Sequence, residues 1–89
     1  RLGQHVLINT NASVDHDREV GDYAFIAPHV ALGGAVYVGA GAMLGMGAVV
    51  LPSLSIGAGA VVAAGSVVTQ NVADGALVMG VPARAVRSS

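Results

Sequence analysis

The sequence predicts an all-β protein, a parallel β-helix built by repeating one short unit. Two observations predict it. Every sixth residue is a large aliphatic without exception: Leu2, Ile8, Val14, Val20, Ile26, Leu32, Val38, Leu44, Val50, Ile56, Val62 and Val68. The residue after each is usually Gly, Ala, Asn or Asp, and the fourth after each is usually Ala, Val, Ser or Leu. A period of six fits neither the helical spacing nor the alternation of a single strand, and uninterrupted self-similarity at so short a period marks a β-helix.

Composition narrows the function classes. A chain of 89 residues is one domain, near the size at which a single core becomes marginal, so support from neighbouring subunits is expected. Charged residues are only 10%, the net charge is -1 and the mean hydropathy is +0.71, which is too apolar for disorder. Gly, Pro, Ser, Asn and Asp interrupt every apolar stretch before it reaches the ~18 residues of a spanning helix, so no membrane segment is expected. There is no polybasic run, and two Tyr and one Phe offer no stacking platform for nucleic acid. Absence of Cys removes disulfides and thiolate metal sites and suits a cytoplasmic location. The repeat opens at Leu2 with no cap, and the chain does not begin with Met. A bare first coil invites edge pairing, so an upstream segment is expected to have been removed.

Residues 14–19 depart from the pattern. Asp15, Asp17, Arg18, Glu19 and then Asp22 crowd around His16. The beat continues through Val14 and Val20, so these charges are presented on the scaffold. Arg18 takes a place where a small residue is usual, which predicts a bulge or a sideways reach to a carboxylate. Residues 20–37 carry Tyr23, Phe25, Pro28, His29 and Gly33-Gly34, and residues 38–73 are nearly uniform. Gly recurs where a corner needs positive φ or where backbones approach closely. The Asp74-Gly75 turn is expected to end the repeat, dividing the chain into a repeat region, 1–73, and a C-terminal segment, 74–89. Residues 77–87 then form an extended exit, because Pro82 disfavours helix at and before its position. Met43, Met46 and Met79 read as gap-filling apolar contacts, and no Gly-Lys-Ser/Thr phosphate loop is present.

Hexads ending in Gly80-Val81-Pro82-Ala83-Arg84 resemble the hexapeptide-repeat acyltransferases. Within them, Asn9-Thr10-Asn11-Ala12-Ser13-Val14-Asp15-His16-Asp17 resembles the sialic acid O-acetyltransferase and UDP-amino-sugar N-acetyltransferase group, written roughly as Asn-x-x-Ala-x-Ile/Val-x-His-Glu/Asp. The resemblance covers essentially the whole chain and implies a left-handed parallel β-helix. Handedness rests on the resemblance alone, since parallel crossovers are otherwise mostly right-handed. Three hexads then make one triangular coil, giving about four coils, residues 2–19, 20–37, 38–55 and 56–73, with an extended C-terminal segment. Residues 18 apart stack at ~4.8 Å, which sets His16, Gly34, Pro52 and Gln70 in one column and Asp17, Ala35, Ser53 and Asn71 in the next. In the family a nucleotide-binding α/β domain precedes the helix and grips a UDP-sugar; this sequence carries no such domain.

The resemblance implies an acetyl-CoA-dependent acetyltransferase acting on an amine or hydroxyl of a sugar, either a nucleotide-linked amino sugar or sialic acid. His16 aligns with the family's general base and Asp17 with the carboxylate beside it. An imidazole titrating near neutrality suits removal of the acceptor proton, and a carboxylate orients the ring and stabilises the imidazolium. Adjacent strand residues point to opposite faces, so Asp15 or a group of the next subunit is an alternative partner for His16. Asn9 matches a polar residue that holds the acceptor sugar, and Gly34 matches the glycine whose N–H faces the acetyl carbonyl. The resemblance departs at Phe25, where the family has a second acceptor-contacting His. It further implies a homotrimer with acetyl-CoA between two subunits, the pantetheine arm passing Gly47, Ser53 and Gly65 and the nucleotide end approaching Arg84 and Arg87.

Two other classes compete. One is a non-catalytic β-helical trimerisation fragment lacking its sugar-binding domain. The other is a zinc hydratase like the γ-class carbonic anhydrases, which share this fold, using His5, His16 and His29. The columns argue against the second: His5 and His29 take the fourth hexad place on two faces, while His16 takes the third place on another. No metal is therefore expected.

Overall fold

The computed structural model describes the strand Leu7–Ile8 and residues 19–87. Twelve short strands follow one another: β1 (Leu7–Ile8), β2 (Glu19–Val20), β3 (Phe25–Ile26), β4 (Ala31–Leu32), β5 (Tyr37–Val38), β6 (Met43–Leu44), β7 (Val49–Val50), β8 (Ser55–Ile56), β9 (Val61–Val62), β10 (Val67–Val68), β11 (Leu77–Gly80) and β12 (Ala83–Arg87). They form three sheets, ordered β1-β3-β6-β9-β11-β12, β2-β5-β8 and β10-β7-β4. From β2 to β7 each strand pairs in parallel with the third strand after it, as in Ala31↔Val49 and Val50↔Val68, and β1 pairs in parallel with β3 in the same 18-residue register, Leu7↔Phe25. That is a triangular parallel β-helix with the 18-residue coil of the left-handed type. About three turns are described, against the four expected; of the first, residues 2–19, only Leu7–Ile8 and Glu19 fall among them.

The six-residue unit has one geometry throughout. Its first place is the aliphatic beat, and from Val20 to Val68 every such side chain is at most 3% exposed. Its fifth place supplies a second inward row, among them Ala24, Val30, Val36, Ala42, Ala48 and Ala60, all buried. The two rows meet on the axis and form one core. Between them the chain turns a corner: the N–H of the fifth place bonds back to the C=O of the second, as from Ala42 to Gly39 at 3.2 Å, and the fourth place is left-handed, with φ of 59–73° in every regular corner. This is the signature of a type II turn. Where the second place is glycine, as at Gly21, Gly33, Gly39, Gly45 and Gly57, the reason is a close approach of the next coil. A Cβ on Gly45 would stand 2.6 Å from the Ala64 nitrogen one coil below.

The repeat contracts once. After Val68 the next buried valine is Val72 and the next Val78. Ile56 accordingly bridges Val72, and β9 pairs with β11 through Val61↔Leu77 and Val62↔Val78, a coil of 16 residues. The Asp74-Gly75 turn, read from the sequence as the end of the repeat, is its last corner, with Gly75 at φ 70°, so the solenoid runs past residue 73. Side chains repair the shortened corner. Asn71 Oδ1 accepts the Ser55 N–H at 2.9 Å, where a backbone carbonyl serves in the regular coils, and Asp74 Oδ1 accepts the Ala58 N–H at 2.9 Å.

The exit is not a simple extended tail. The chain reverses at Val81-Pro82, a cis peptide bond, and β12 pairs antiparallel with β11, Met79 opposite Arg84 and Gly80 opposite Ala83. The expected extension from Pro82 holds in kind, but the strand folds back to cover the last parallel edge of its sheet. Ser66, the buried polar residue among the described ones, fixes the reversal by accepting the Gly80 N–H at 3.2 Å. Among the described residues no helix is long and apolar enough to cross a membrane.

Two substitutions separate the roles of the corner places. Gly45→Ala should destabilise the fold by about 1–3 kcal/mol or more, the range for overpacking a site that cannot relax. Ala35→Gly should stabilise it by about 0.5–1 kcal/mol, because a left-handed L-residue costs ~1–2 kcal/mol and the freer glycine returns ~0.4–1 kcal/mol of that to the unfolded chain. Chemical denaturation of both variants against the parent chain measures the two signs.

Candidate active site

Three columns of corners run down the helix. One holds residues 33–36, 51–54 and the contracted 69–71, and by sequence register it is the column of His16. A second holds 21–24, 39–42, 57–60 and 73–76. The third holds 27–30, 45–48 and 63–66. The sheet β4-β7-β10 separates the first column from the third.

The structure brings Gly34 and Ser53 together. The Ser53 N–H donates to the Gly34 carbonyl at 2.8 Å, locking the two corners in register. Gly34 is exposed, and a Cβ on it would meet nothing within 4 Å. Its own N–H has no acceptor among the described residues. A fixed, solvent-facing amide donor of this kind can stabilise an oxyanion without reorganising. Directly below, Pro52 has no N–H to offer, and it packs so closely under Gly33 that a Cβ there would lie 2.5 Å from the Pro52 nitrogen.

Gly47 and Gly65 occupy the third column. Gly47 donates to the Pro28 carbonyl at 3.1 Å and Gly65 to the Met46 carbonyl at 2.8 Å. Both are left-handed, and a Cβ on either would meet nothing within 4 Å. Arg84 stands apart on β12, exposed at the base of the solenoid. One chain therefore distributes the five predicted acetyl-CoA residues over three places: Gly34 with Ser53, Gly47 with Gly65, and Arg84 alone. His16, Asp17 and Asn9 lie outside the described residues, as do Arg18 and His5. His29 is exposed and left-handed at φ 64°, and Phe25, at the point of departure from the family motif, is half-buried against the core. Among the described residues no group of three His, Asp or Glu converges as metal ligands would.

Sequence reasoning missed a cleft of about 260 Å³ at the base, lined by Gln70, Asn71 and Arg84 over an apolar floor of Val68, Val72 and Val78. It exists because the contracted corner withdraws from the His16 column and β12 reverses beside it. The signal was present as the unequal spacing from Val68 to Val72 to Val78.

An 18-residue parallel register with a type II turn at every regular corner defines a hexapeptide-repeat β-helix. Residues 35–70 match the bacterial transferase hexapeptide family (six repeats). Solved acetyltransferases superpose closely on this chain. Perosamine N-acetyltransferase from Caulobacter crescentus, as a histidine-to-asparagine mutant with CoA and GDP-perosamine, is 43% identical with a TM-score of 0.94, over 97% of this chain and 41% of that one. The acetyltransferase domain of PglB from Neisseria gonorrhoeae, in complex with acetyl coenzyme A, is 30% identical with a TM-score of 0.91, over 96% and 44%. Serine acetyltransferase (CysE) from Neisseria gonorrhoeae is 30% identical with a TM-score of 0.90, over 97% and 38%. The chain thus spans less than half the length of each of these proteins.

The repaired corner that borders the cleft makes a direct prediction. Asn71→Ala leaves the Ser55 N–H without its acceptor and should cost about 1 kcal/mol in chemical denaturation, the net worth of one hydrogen bond, whereas Asn71→Asp keeps the oxygen and should cost less.

Proposed function

We propose that this β-helix is the catalytic domain of an acetyl-CoA-dependent acetyltransferase whose acceptor is an amine or hydroxyl of a sugar, with His16 as general base. The Gly34 amide carries the reading: it is exposed, held by Ser53 and without an acceptor among the described residues. The 18-residue register kept by the regular coils supports setting His16 over Gly34. The solved relatives support the co-substrate, since two of them hold CoA or acetyl coenzyme A, and one of these also holds a nucleotide-linked amino sugar.

The chemistry assembles as follows. His16 takes the proton of the acceptor N–H or O–H as that atom attacks the thioester carbonyl. Negative charge gathers on the carbonyl oxygen, and the Gly34 N–H stabilises it. The C–S bond then breaks, the acetyl group stays on the acceptor, and the imidazolium returns its proton to the departing thiolate. Asp17 orients the ring and Asn9 holds the acceptor.

The trimer implied by the family resemblance has a physical counterpart. The outer face of β3, β6, β9 and β11 displays Phe25, Met43, Val61 and Leu77 in one partly exposed apolar column, a surface of the kind that subunits cover. Gly34 and Gly47 stand on different edges of one chain, so a groove holding both needs edges from two subunits.

Four measurements test the reading. His16→Ala should lower thiol release from acetyl-CoA by roughly 10²–10⁴-fold with the assembly intact, and undiminished turnover removes His16 from the mechanism. Gly34→Pro deletes only the N–H, since Pro28 and Pro52 already occupy the same hexad place; it should cost ~10²–10³ in kcat while the fold survives. Light scattering should report a trimer and metal analysis no stoichiometric zinc; a monomer or bound zinc contradicts this reading.

A further inference from the structure

The inward rows of the core stop at the base, where no further coil follows. Val68, Val72 and Val78 end the series, and they form the floor of the basal cleft. The polar groups around that floor are mainly donors. Arg84 and Gln70 are exposed there, and while the Gln70 amide serves either way, a guanidinium only donates. Asn71 has its Oδ1 on the Ser55 N–H at 2.9 Å, so its Nδ2 group is left as a donor. The backbone adds another. Down this column the Gly33 N–H donates to the Val50 carbonyl at 2.8 Å and the Leu51 N–H to the Val68 carbonyl at 3.1 Å. Thr69 is next in that series, between the lining residues Val68 and Gln70, and its N–H has no coil below it and no acceptor among the described residues. Neither an acid nor an aromatic ring is among the described residues that line the cleft.

We propose that the basal cleft binds a small aliphatic carboxylate, with Arg84 and the Asn71 amide on its oxygens and its hydrocarbon body on Val68, Val72 and Val78. Donors with no acid beside them select an anion, and a single planar guanidinium matches the two oxygens of a carboxylate. The floor selects an apolar body, since it is the uncovered end of the core itself. A volume of about 260 Å³ is the room of about eight or nine waters at ~30 Å³ each, which sets the ligand at about four to six carbons. A nucleotide fits this lining poorly, because no ring stacks its base and one cation faces its phosphates. The assignment is independent of the acetyltransferase reading, which places its reacting groups at His16 and Gly34.

Amide NMR of the isotope-labelled whole chain, titrated with pentanoate, tests the assignment. The Gln70 and Asn71 amides should shift and saturate in the millimolar range, as suits so small a ligand. Pentanamide has the same shape without the charge and should bind about tenfold more weakly. Arg84→Gln should weaken pentanoate by about tenfold as well, the ordinary worth of a charged hydrogen bond. Asn71→Asp keeps the oxygen that holds Ser55 and turns the remaining donor into a negative acceptor, so binding should be lost while the thermal melt stays cooperative. Equal binding of pentanamide, wild-type affinity in either variant, shifts that avoid the base, or no saturable shift at all overturns the assignment. Two other results overturn it by naming a different occupant. Adenosine bisphosphate moving the same amides at lower concentration than pentanoate gives the cleft to the nucleotide end of acetyl-CoA, and shifts produced by raising the protein concentration alone give it to a second copy of the chain.

Discussion

The spacing between coils governs everything else in this molecule. Backbone N–H groups at the second hexad place donate straight down to carbonyls of the next coil, as from Gly39 to Ile56 at 2.7 Å and Gly45 to Val62 at 2.8 Å. Those bonds bring successive corners so close that a side chain at Gly39 or Gly45 would enter the backbone below. The short distance permits the axial core to fill with Val, Ile, Leu and Ala, and it makes each regular corner a copy of the one above. A backbone constraint thus dictates the composition: abundant Gly, small inward residues, and almost nowhere to put a charge.

A scaffold so regular can hold chemistry only by local departure. Each departure in the described chain lies at a corner and leaves the core alone. Gly34 leaves an amide uncovered, Pro52 removes one, Ser53 puts a side chain into a conformation that the other corners of its own coil give to glycine, and the missing pair of residues after Thr69 opens the basal cleft. The rigid coils fix where these groups stand relative to one another; the exposed corners leave them accessible. The hydrogen bond from Ser53 to Gly34 shows both at once, since it belongs to the scaffold and also aims the proposed oxyanion donor.

The fold was legible because its signal is strictly periodic. Nine successive aliphatics from Val20 to Val68, six apart, are all buried, and both reasons for glycine, left-handed corners and close approach, are met at different places of the same hexad. The contraction was less legible because Val72 and Val78 keep the apolar character of the beat while changing its phase, and Asn71 substitutes for a backbone carbonyl in a way that no propensity encodes. Asp74-Gly75 was correctly a turn, but turn chemistry alone cannot distinguish a last corner from an ending. For the site, sequence register paired Gly34 with Ser53 on neighbouring corners. The same 18-residue count puts Gly47 and Gly65 together on a different edge, as the structure shows. The proposed catalytic motif, Asn9 to Asp17, lies outside the described residues, so its evidence is chemical and sequential.

The antiparallel return of β12 also makes the solenoid directional as a building material. A parallel helix whose coils are interchangeable can in principle be lengthened anywhere by multiples of three hexads. Here the 16-residue coil and the reversal at Val81-Pro82 put the chain out of phase and out of direction for another turn below. Duplication or engineered extension is therefore open only upstream of Thr69, and length can vary without disturbing the terminus.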